Sequence, residues 1–431
     1  MTGIIGIIIL LVVMIILQMP VGFSMAVVGF CGLWYMTGLD SALSMIGTET
    51  WSNFSSYGLT VIPLFILMGT ICFYSGVNKK LYDTAYKWFG RTRGGIAMAT
   101  VMACAGFAAI CGSNNATAAT MTTVALPEMK KYNYNKALSA GSIACGSTLG
   151  VVIPPSVVLI VYGIQTGQSI GKLFWGSTLP GILMAILFSF TIYLICVKHP
   201  EWGPGGPKVT IIEKIKSIPG AIEMIVLFAL VMGGLYTGAY TPTEAGAAGA
   251  FFAFVIAGAF RRKLSWKGFV SAIADALKVT CMVIVIVWGA VIFGRFLTIS
   301  RLPFVAVDFV STLHVPPYMI MTSILIIYAI AGMVMDALGF LLISVPIFFP
   351  MAIQLGYDPI WFGCILTVVT TMGAVTPPVG ICAYVVSGMS GDIPLSTVFK
   401  GVLWFIPAYC ITMAVMIIFP QISLFLPSLV R

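Results

Sequence analysis

Runs of about twenty apolar residues recur from one end of this 431-residue chain to the other, and they restrict its fold more than any single motif does. A helix of that length spans about 30 Å, the thickness of a bilayer's hydrocarbon core. Hydrophobic residues make up 60% of the sequence and charged residues 8%, so water cannot solvate most of the surface. The expectation is an all-α polytopic membrane protein with no sizeable soluble domain, because only structures that satisfy their own backbone groups cross a bilayer. The first 19 residues carry neither a basic leader nor an A-x-A cleavage site, which makes them a retained span rather than a removed signal.

Apolar runs and their breakers place spans near 3–19, 21–38, 57–77, 135–153 and 175–197 in the first half. In the second half they fall near 220–240, 243–260, 279–300, 359–376 and 396–420. Two further stretches, 94–130 and 316–354, are too long for one helix and are interrupted midway, by Gly112-Ser113-Asn114-Asn115 and by Met335-Asp336-Ala337-Leu338-Gly339. Each is expected to be a re-entrant helical hairpin, whose polar tip is tolerable at membrane depth only where protein or a water-filled cavity surrounds it. Segments 79–89, 263–278 and 301–313 combine mixed polarity with helical apolar spacing and are expected to lie along the interface. The polar stretch 199–219, with Gly-Pro-Gly-Gly-Pro at 203–207, is the natural linker between a first half, 1–198, and a second, 220–431.

Under this topology all but four of the 22 basic residues fall on one side, leaving Lys172, Arg295, Arg301 and Arg431 opposite. The positive-inside rule puts the larger set in the cytoplasm and both termini outside. Topology thus accounts for the net charge of +9, which gives no support to nucleic-acid binding. The ten cysteines lie singly with no C-x-x-C pair, as packing residues rather than a disulfide framework or metal cluster. His199 and His314, the two histidines, sit in or near polar connections, which disfavours a histidine metal site or proton relay. No Walker A, H-E-x-x-H or G-x-S-x-G pattern is present, so ATP-driven transport and the common hydrolases lack support.

Shifting the sequence by 223 positions superimposes 147–155, ending Gly150-Val151-Val152-Ile153-Pro154-Pro155, on 370–378, ending Gly373-Ala374-Val375-Thr376-Pro377-Pro378. Upstream without a gap, Pro127 meets Pro350 and Tyr134 meets Tyr357, for seven identities over the 29 positions 127–155. Five crossings and one hairpin per half would invert the second copy relative to the first. Inverted repeats of this kind build two access states around a site near the midplane, so the expectation is alternating access rather than an open pore.

The repeated break is where chemistry is expected. Gly followed by Pro-Pro cannot continue a regular helix, because proline lacks an N–H and disfavours helical geometry in the preceding residue. Backbone carbonyls are freed over 150–156 and 373–379, and a small hard cation suits them because it prefers oxygen ligands. Two related sodium sites are expected, with Ser113, Asn114, Gly150, Val151 and Pro154 at one and Asp336, Gly373, Thr376 and Pro377 at the other. Half-helices starting at the hairpin tips would turn their positive N-termini toward the midplane, which favours a carboxylate solute. Asn115, Thr117, Thr148 and Ser156 are the candidate solute contacts, with Thr120 beside them, although threonines in membrane helices commonly bond their own backbone. Glu244, near the start of a predicted span, serves either gating and ion coupling or a helix N-terminus capped by Thr243; the capping role is the plainer of the two.

Three motifs carry a family resemblance: Gly238-Ala239-Tyr240-Thr241-Pro242-Thr243-Glu244-Ala245-Gly246, Gly332-Met333-Val334-Met335-Asp336 and Thr376-Pro377-Pro378-Val379-Gly380. With the length and the paired hairpins, they resemble the large membrane subunit of tripartite ATP-independent periplasmic (TRAP) transporters over essentially the whole chain. The resemblance implies an elevator in the bacterial inner membrane, working with a small membrane subunit and a periplasmic binding protein that delivers an organic acid, with sodium driving uptake. The first hairpin tip departs from the family's more usual Ser-Gly-Ser, and its Asn114 and Asn115 resemble the sialic-acid branch more than the dicarboxylate branch. Two rivals stand beside it: a stand-alone sodium/dicarboxylate symporter, and a membrane-embedded enzyme, which should show clustered acid, base or metal-ligating residues within its spans. A passive channel is disfavoured by hairpins and broken helices, which suit occlusion.

Overall fold

A computed structural model describes residues 2–206, 209–260, 264–312 and 315–429. These are helical nearly throughout, with no strand among them. Breakers set the elements: Pro20 starts α2 (Val21–Thr37) after α1 (Thr2–Ile16), and Gly38, at φ +84°, turns the chain into α3 (Leu39–Phe54). α3, an amphipathic helix that the apolar runs do not reveal, precedes α4 (Val61–Tyr74). α5 (Val77–Phe89) exposes Lys79, Lys80 and Asp83 and buries Tyr82, the expected amphipathic pattern.

The first hairpin is α6 (Gly95–Cys111) and α7 (Asn114–Lys131). The first broken span follows as α8 (Lys136–Ser147), α9 (Leu149–Val152) and, beyond Pro154-Pro155, α10 (Val157–Thr166). The span expected over 135–153 thus continues past its break to Thr166. The 29-residue α11 (Ile170–Lys198) closes this half; Ile182, Ile186, Phe190, Tyr193 and Val197 form an outward apolar stripe at helical spacing.

The linker is tied down rather than loose. Gly94 and Asn135 donate backbone N–H bonds to Gly203 and Trp202 carbonyls at 2.8 and 2.9 Å, and Trp202 stacks on His199 and packs at a tilt against Trp404. α12 (Ile211–Ser217), α13 (Pro219–Tyr236) and α14 (Pro242–Val255) follow. The 34-residue α15 (Trp266–Ile299) then runs for about 51 Å, at 1.5 Å per residue. It corrects the expectation of an interfacial helix over 263–278 followed by a span over 279–300. No Gly or Pro breaker stands between the two pieces, and Asp275 of the first is held by the Tyr74 hydroxyl and Lys278. Arg261–Lys263 lie outside the described residues.

After α16 (Leu302–Thr312), the second hairpin is α17 (Pro317–Gly332) and α18 (Ala337–Gln354). The second broken span is α19 (Pro359–Gly373) and, past Pro377-Pro378, α20 (Ile381–Ser390). The span expected over 396–420 is a pair bent by 44°, α21 (Leu395–Leu403) and α22 (Ile406–Ile418), before α23 (Gln421–Ser428). Among the described residues six helices are long and apolar enough to cross a membrane, or seven with the bent pair as one span. The remaining expected spans are shorter apolar helices cut by the breakers named above.

Two packed groups result. α15 lies along α2 and α4, and α14 along α4. A Cβ on Gly22 would lie 2.7 Å from the Val285 carbonyl oxygen, so α2 and α15 touch backbone to backbone, a rigid seam that needs small residues. In the other group the halves interleave: α10 packs on α18, α8 on α20 and α21, and α7 on α20. Positions 223 apart also play the same local part. Ser113 and Asp336 cap α7 and α18, while Asn135 and Asp358 cap α8 and α19.

Candidate transport site

Each hairpin tip is built by a capping residue. The Ser113 hydroxyl accepts from the Ala116 N–H at 3.5 Å, and the Asp336 carboxylate from the Leu338 N–H at 3.1 Å. Each tip rests on the broken helix of its own half. A Cβ on Gly150 would lie 2.8 Å from the Ser113 carbonyl oxygen and 3.0 Å from the Thr117 hydroxyl, and one on Gly373 would lie 2.5 Å from the Gly332 carbonyl carbon. The repeated glycine therefore lets the break touch its hairpin, backbone against backbone. The second contact is also hydrogen-bonded, from the Val379 N–H to the Met333 carbonyl at 3.1 Å.

Both tips open into a cavity of about 360 Å³. Ser113, Asn114 and Asn115 line it from α7 and its cap, Asp336 and Leu338 from the second tip, and Val151 and Val158 from the first break and α10. Opposite stand the second half of α4, ending at Tyr74, and Asp275, Lys278 and Val283 of α15. The Tyr74 hydroxyl donates to the Asp275 carboxylate at 2.5 Å, and the Lys278 ammonium lies 3.8 Å from its other oxygen. Asn114 is 8% exposed, and its side-chain oxygen finds no hydrogen-bond partner in the protein. Two helix N-termini and one lysine thus face the same space as two carboxylates, an arrangement suited to an anion together with a cation.

Among the sequence candidates, Ser113, Asn114, Asn115, Val151 and Asp336 reach the cavity wall. Gly150 and Pro154 lie buried behind it. The carbonyls of Gly150 and Val151 would be bonded in a continuing helix by residues 154 and 155, both prolines without an N–H. The Ser113 carbonyl and Thr117 hydroxyl approach the same point, so oxygens concentrate there.

The second break differs. The Ala374 carbonyl accepts from the Cys382 N–H at 3.1 Å, and the Gly373 carbonyl from the Thr376 N–H at 3.1 Å. The Thr376 hydroxyl bonds the Met372 and Gly373 carbonyls, and Pro377 is exposed away from the cavity. Carbonyls that the sequence leaves free here are therefore already bonded.

Three of the four candidate solute contacts are occupied elsewhere. Thr117 donates to the Ser113 carbonyl at 2.8 Å, and Ser156 caps α10 by accepting from the Leu159 N–H. Thr148 is fully buried, with its hydroxyl 2.6 Å from the Cys145 carbonyl and 2.7 Å from the Tyr409 hydroxyl. Thr120 likewise bonds the Ala116 carbonyl. Glu244 closes a capping box, its carboxylate accepting from the Thr241 N–H at 2.8 Å, so Thr241 rather than Thr243 caps α14. Tyr74, Asp275 and Lys278 escape the sequence reading. Their signal is an i, i+3 pair of opposite charges inside an apolar run that has no breaker.

A second cavity, of about 280 Å³, lies one helical turn further along the same helices. Val158, Val283 and Leu338 border the first, while Val161, Val287 and Leu342 border the second.

Comparison with known proteins places these features. Residues 8–422 match the family model described as tripartite ATP-independent periplasmic transporter, DctM component. The chain is 34% identical to the C4-dicarboxylate TRAP transporter large permease protein DctM of Pseudomonas aeruginosa, covering 86% of each. It is 30% identical to the sialic acid TRAP transporter large permease protein SiaM of Vibrio cholerae, covering 95% of each. The isethionate TRAP transporter permease protein DctMQ of Oleidesulfovibrio alaskensis is 32% identical, over 87% of this chain and 58% of that one. Among solved structures, the Alcanivorax borkumensis YdaH transporter shares the fold, with a TM-score of 0.61 at 13% identity over 89% of this chain and 90% of that one.

Proposed function

Because this chain belongs to the tripartite ATP-independent periplasmic transporter, DctM component, family, we propose that it is the transport subunit of a sodium-coupled, binding-protein-dependent uptake system for an organic acid. The observation that carries the proposal is the convergence of both hairpin tips, with their Ser113, Asn114, Asn115 and Asp336, on one cavity, with a second cavity one turn away. The cavity at the tips meets the end of α4 that leads into Lys79 and Lys80, the basic side that topology assigns to the cytoplasm. The second cavity meets the opposite end of α4, so the two are the inner and outer approaches to one barrier.

Alternating access follows if the hairpins and broken spans, organised as two inverted repeats, move as an elevator against α2, α4, α14 and α15, whose glycine seam favours a stiff scaffold. Sodium, as a co-transported ion, would be held at the first break by the Gly150 and Val151 carbonyls with Ser113 and Asn114. In the second half the Asp336 carboxylate is the available ligand, because the Gly373 carbonyl and the Thr376 hydroxyl are bonded internally. The helix N-termini and Lys278 supply the preference for an organic anion. The amides of Asn114 and Asn115 favour a solute with hydroxyl or amide groups, so sialic acid is the first candidate and a C4-dicarboxylate the second. A small membrane subunit and a periplasmic binding protein complete the system.

The test is uptake into proteoliposomes holding the chain with its small subunit. Labelled sialic acid and succinate are offered with and without the binding protein, under an inward sodium gradient or a matched choline gradient. Uptake that needs both sodium and the binding protein is expected. Equal uptake without the binding protein would replace this proposal by a stand-alone symporter, and equal uptake in choline would remove sodium as the driving ion.

A further inference from the structure

We propose that the second cavity is a holding site for the neutral, hydroxyl- or amide-bearing part of a polar organic solute on the outer side of the barrier, separate from the site at the hairpin tips. The proposal rests on the transport function above. Asn53, in the last turn of α3, is 8% exposed, and its amide nitrogen has no hydrogen-bond partner in the protein. Gln165, in the last turn of α10, donates from its amide nitrogen to the Leu342 carbonyl at 3.1 Å, while its buried amide oxygen has no partner. Both amides line the same cavity, one from the α3 side and one from the group that packs on α18.

A buried amide left unbonded is costly, and two such groups around one space are well matched by a ligand that both accepts and donates. Ser52 and Ser56 add hydroxyls to the same wall. Glu49, the one carboxylate there among the described residues, accepts from the Arg295 guanidinium at 2.6 Å and is neutralised by it. The site therefore offers hydrogen bonds without net charge, which selects hydroxyls and amides rather than a carboxylate. It also straddles the boundary that an elevator movement shears, so a solute held there is released as that boundary shifts.

The experiment uses Ser56→Cys in a background with the exposed Cys31, Cys281 and Cys410 replaced by serine. The complex is reconstituted outside-out, and an impermeant thiol reagent is added with or without free sialic acid, or with succinate. Labelling from the outside is expected, and sialic acid at ten times its half-protecting concentration should slow it about elevenfold by simple occupancy. Succinate, which lacks hydroxyl and amide groups, should not slow it. The double variant Asn53→Leu, Gln165→Leu should lose the protection while eluting as a monodisperse complex that still unfolds in one cooperative transition. Should that double variant not assemble, Asn53→Ser is used and a weaker protection is expected. Unchanged labelling in vesicles that do take up sialic acid would mean the cavity holds water only, and would overturn the inference. So would protection that persists in the amide variants, or a cysteine that reacts only from the inside. Wild-type vesicles that move neither solute would overturn the transport function itself, and the inference with it.

Discussion

Replacing Gly150 by alanine adds one carbon where the first break meets its hairpin. That Cβ would lie 2.8 Å from the Ser113 carbonyl oxygen and 3.0 Å from both the Ser113 carbonyl carbon and the Thr117 hydroxyl. Ordinary contacts to carbon need several tenths of an ångström more, and the first two of these atoms are backbone, so the hairpin tip must shift. Overpacking of this kind costs about 1–3 kcal/mol. If the same oxygens hold sodium and about 1.4–3 kcal/mol falls on ion binding, the sodium Kd rises about 10- to 150-fold, since 1.4 kcal/mol is a factor of ten. Wild type at a sodium concentration of 100 Kd gains about 2.7 kcal/mol from the ion, whereas the variant in the same buffer would gain only about 0.3–1.4 kcal/mol. Thermal unfolding in sodium chloride against choline chloride at matched ionic strength measures the difference. Gly388→Ala, with nothing within 4 Å of its new Cβ, is the control and should respond to sodium as wild type does. A Gly150→Ala protein that is destabilised in choline but keeps the full sodium increment would leave the packing argument standing and refute the ion site. One that matches wild type in both salts would refute both.

Thr148→Val should lower stability by about 1–3 kcal/mol, because it leaves the buried Tyr409 hydroxyl only the weak Cys145 thiol as partner, whereas Tyr409→Phe leaves Thr148 bonded to the Cys145 carbonyl and should cost less. Thermal unfolding reports the order of the two, and uptake by the folded Thr148→Val protein should keep its KM. Among the described residues Lys278 is the one cation lining the cavity at the tips, and its side chain is 79% exposed. Lys278→Met should therefore raise the half-saturating concentration of an anionic solute by no more than about fivefold, the effect shrinking at high salt. At the Gly391–Pro394 connection, the ammonium groups of Lys130 and Lys136 hold the Asp392 carboxyl below its usual range. Its folded pKa is depressed, so its stabilising effect is present above the ordinary carboxylate pKa and disappears as the pH falls through the lower folded value. The midpoint difference between wild type and Asp392→Asn should accordingly be visible at neutral pH and vanish in acid; a difference that persists there would refute the ion pair as its cause.

The positions of the hairpins and breaks were legible because their causes are local. A proline lacks an N–H wherever it stands, and Ser113, Asp336, Asn135 and Asp358 cap the helices that follow them using only their nearest neighbours. Each tip consequently falls where one helix gives way to the next, between α6 and α7 and between α17 and α18. Amphipathic α3 escaped notice because its apolar face is interrupted by Asp40, Ser44, Thr48 and Glu49 and never forms a run.

What the sequence could not decide was which polar groups are already satisfied, since that depends on residues far away in the chain. Cys382 bonds the Ala374 carbonyl only after the chain has turned through the second break, and Tyr409 meets Thr148 across 261 positions. Tyr74 reaches Asp275 across 201 positions, which turns an apparent interfacial segment into one wall of a cavity. Composition and breakers alone determined a bundle of membrane helices with two polar tips and two broken spans, because backbone hydrogen bonding inside a bilayer permits little else. The tertiary structure alone decided that both tips share one cavity, that the Gly373 and Ala374 carbonyls of the second break are bonded internally, and that a cavity lined by two incompletely bonded amides lies one turn away, because these depend on how distant helices pack.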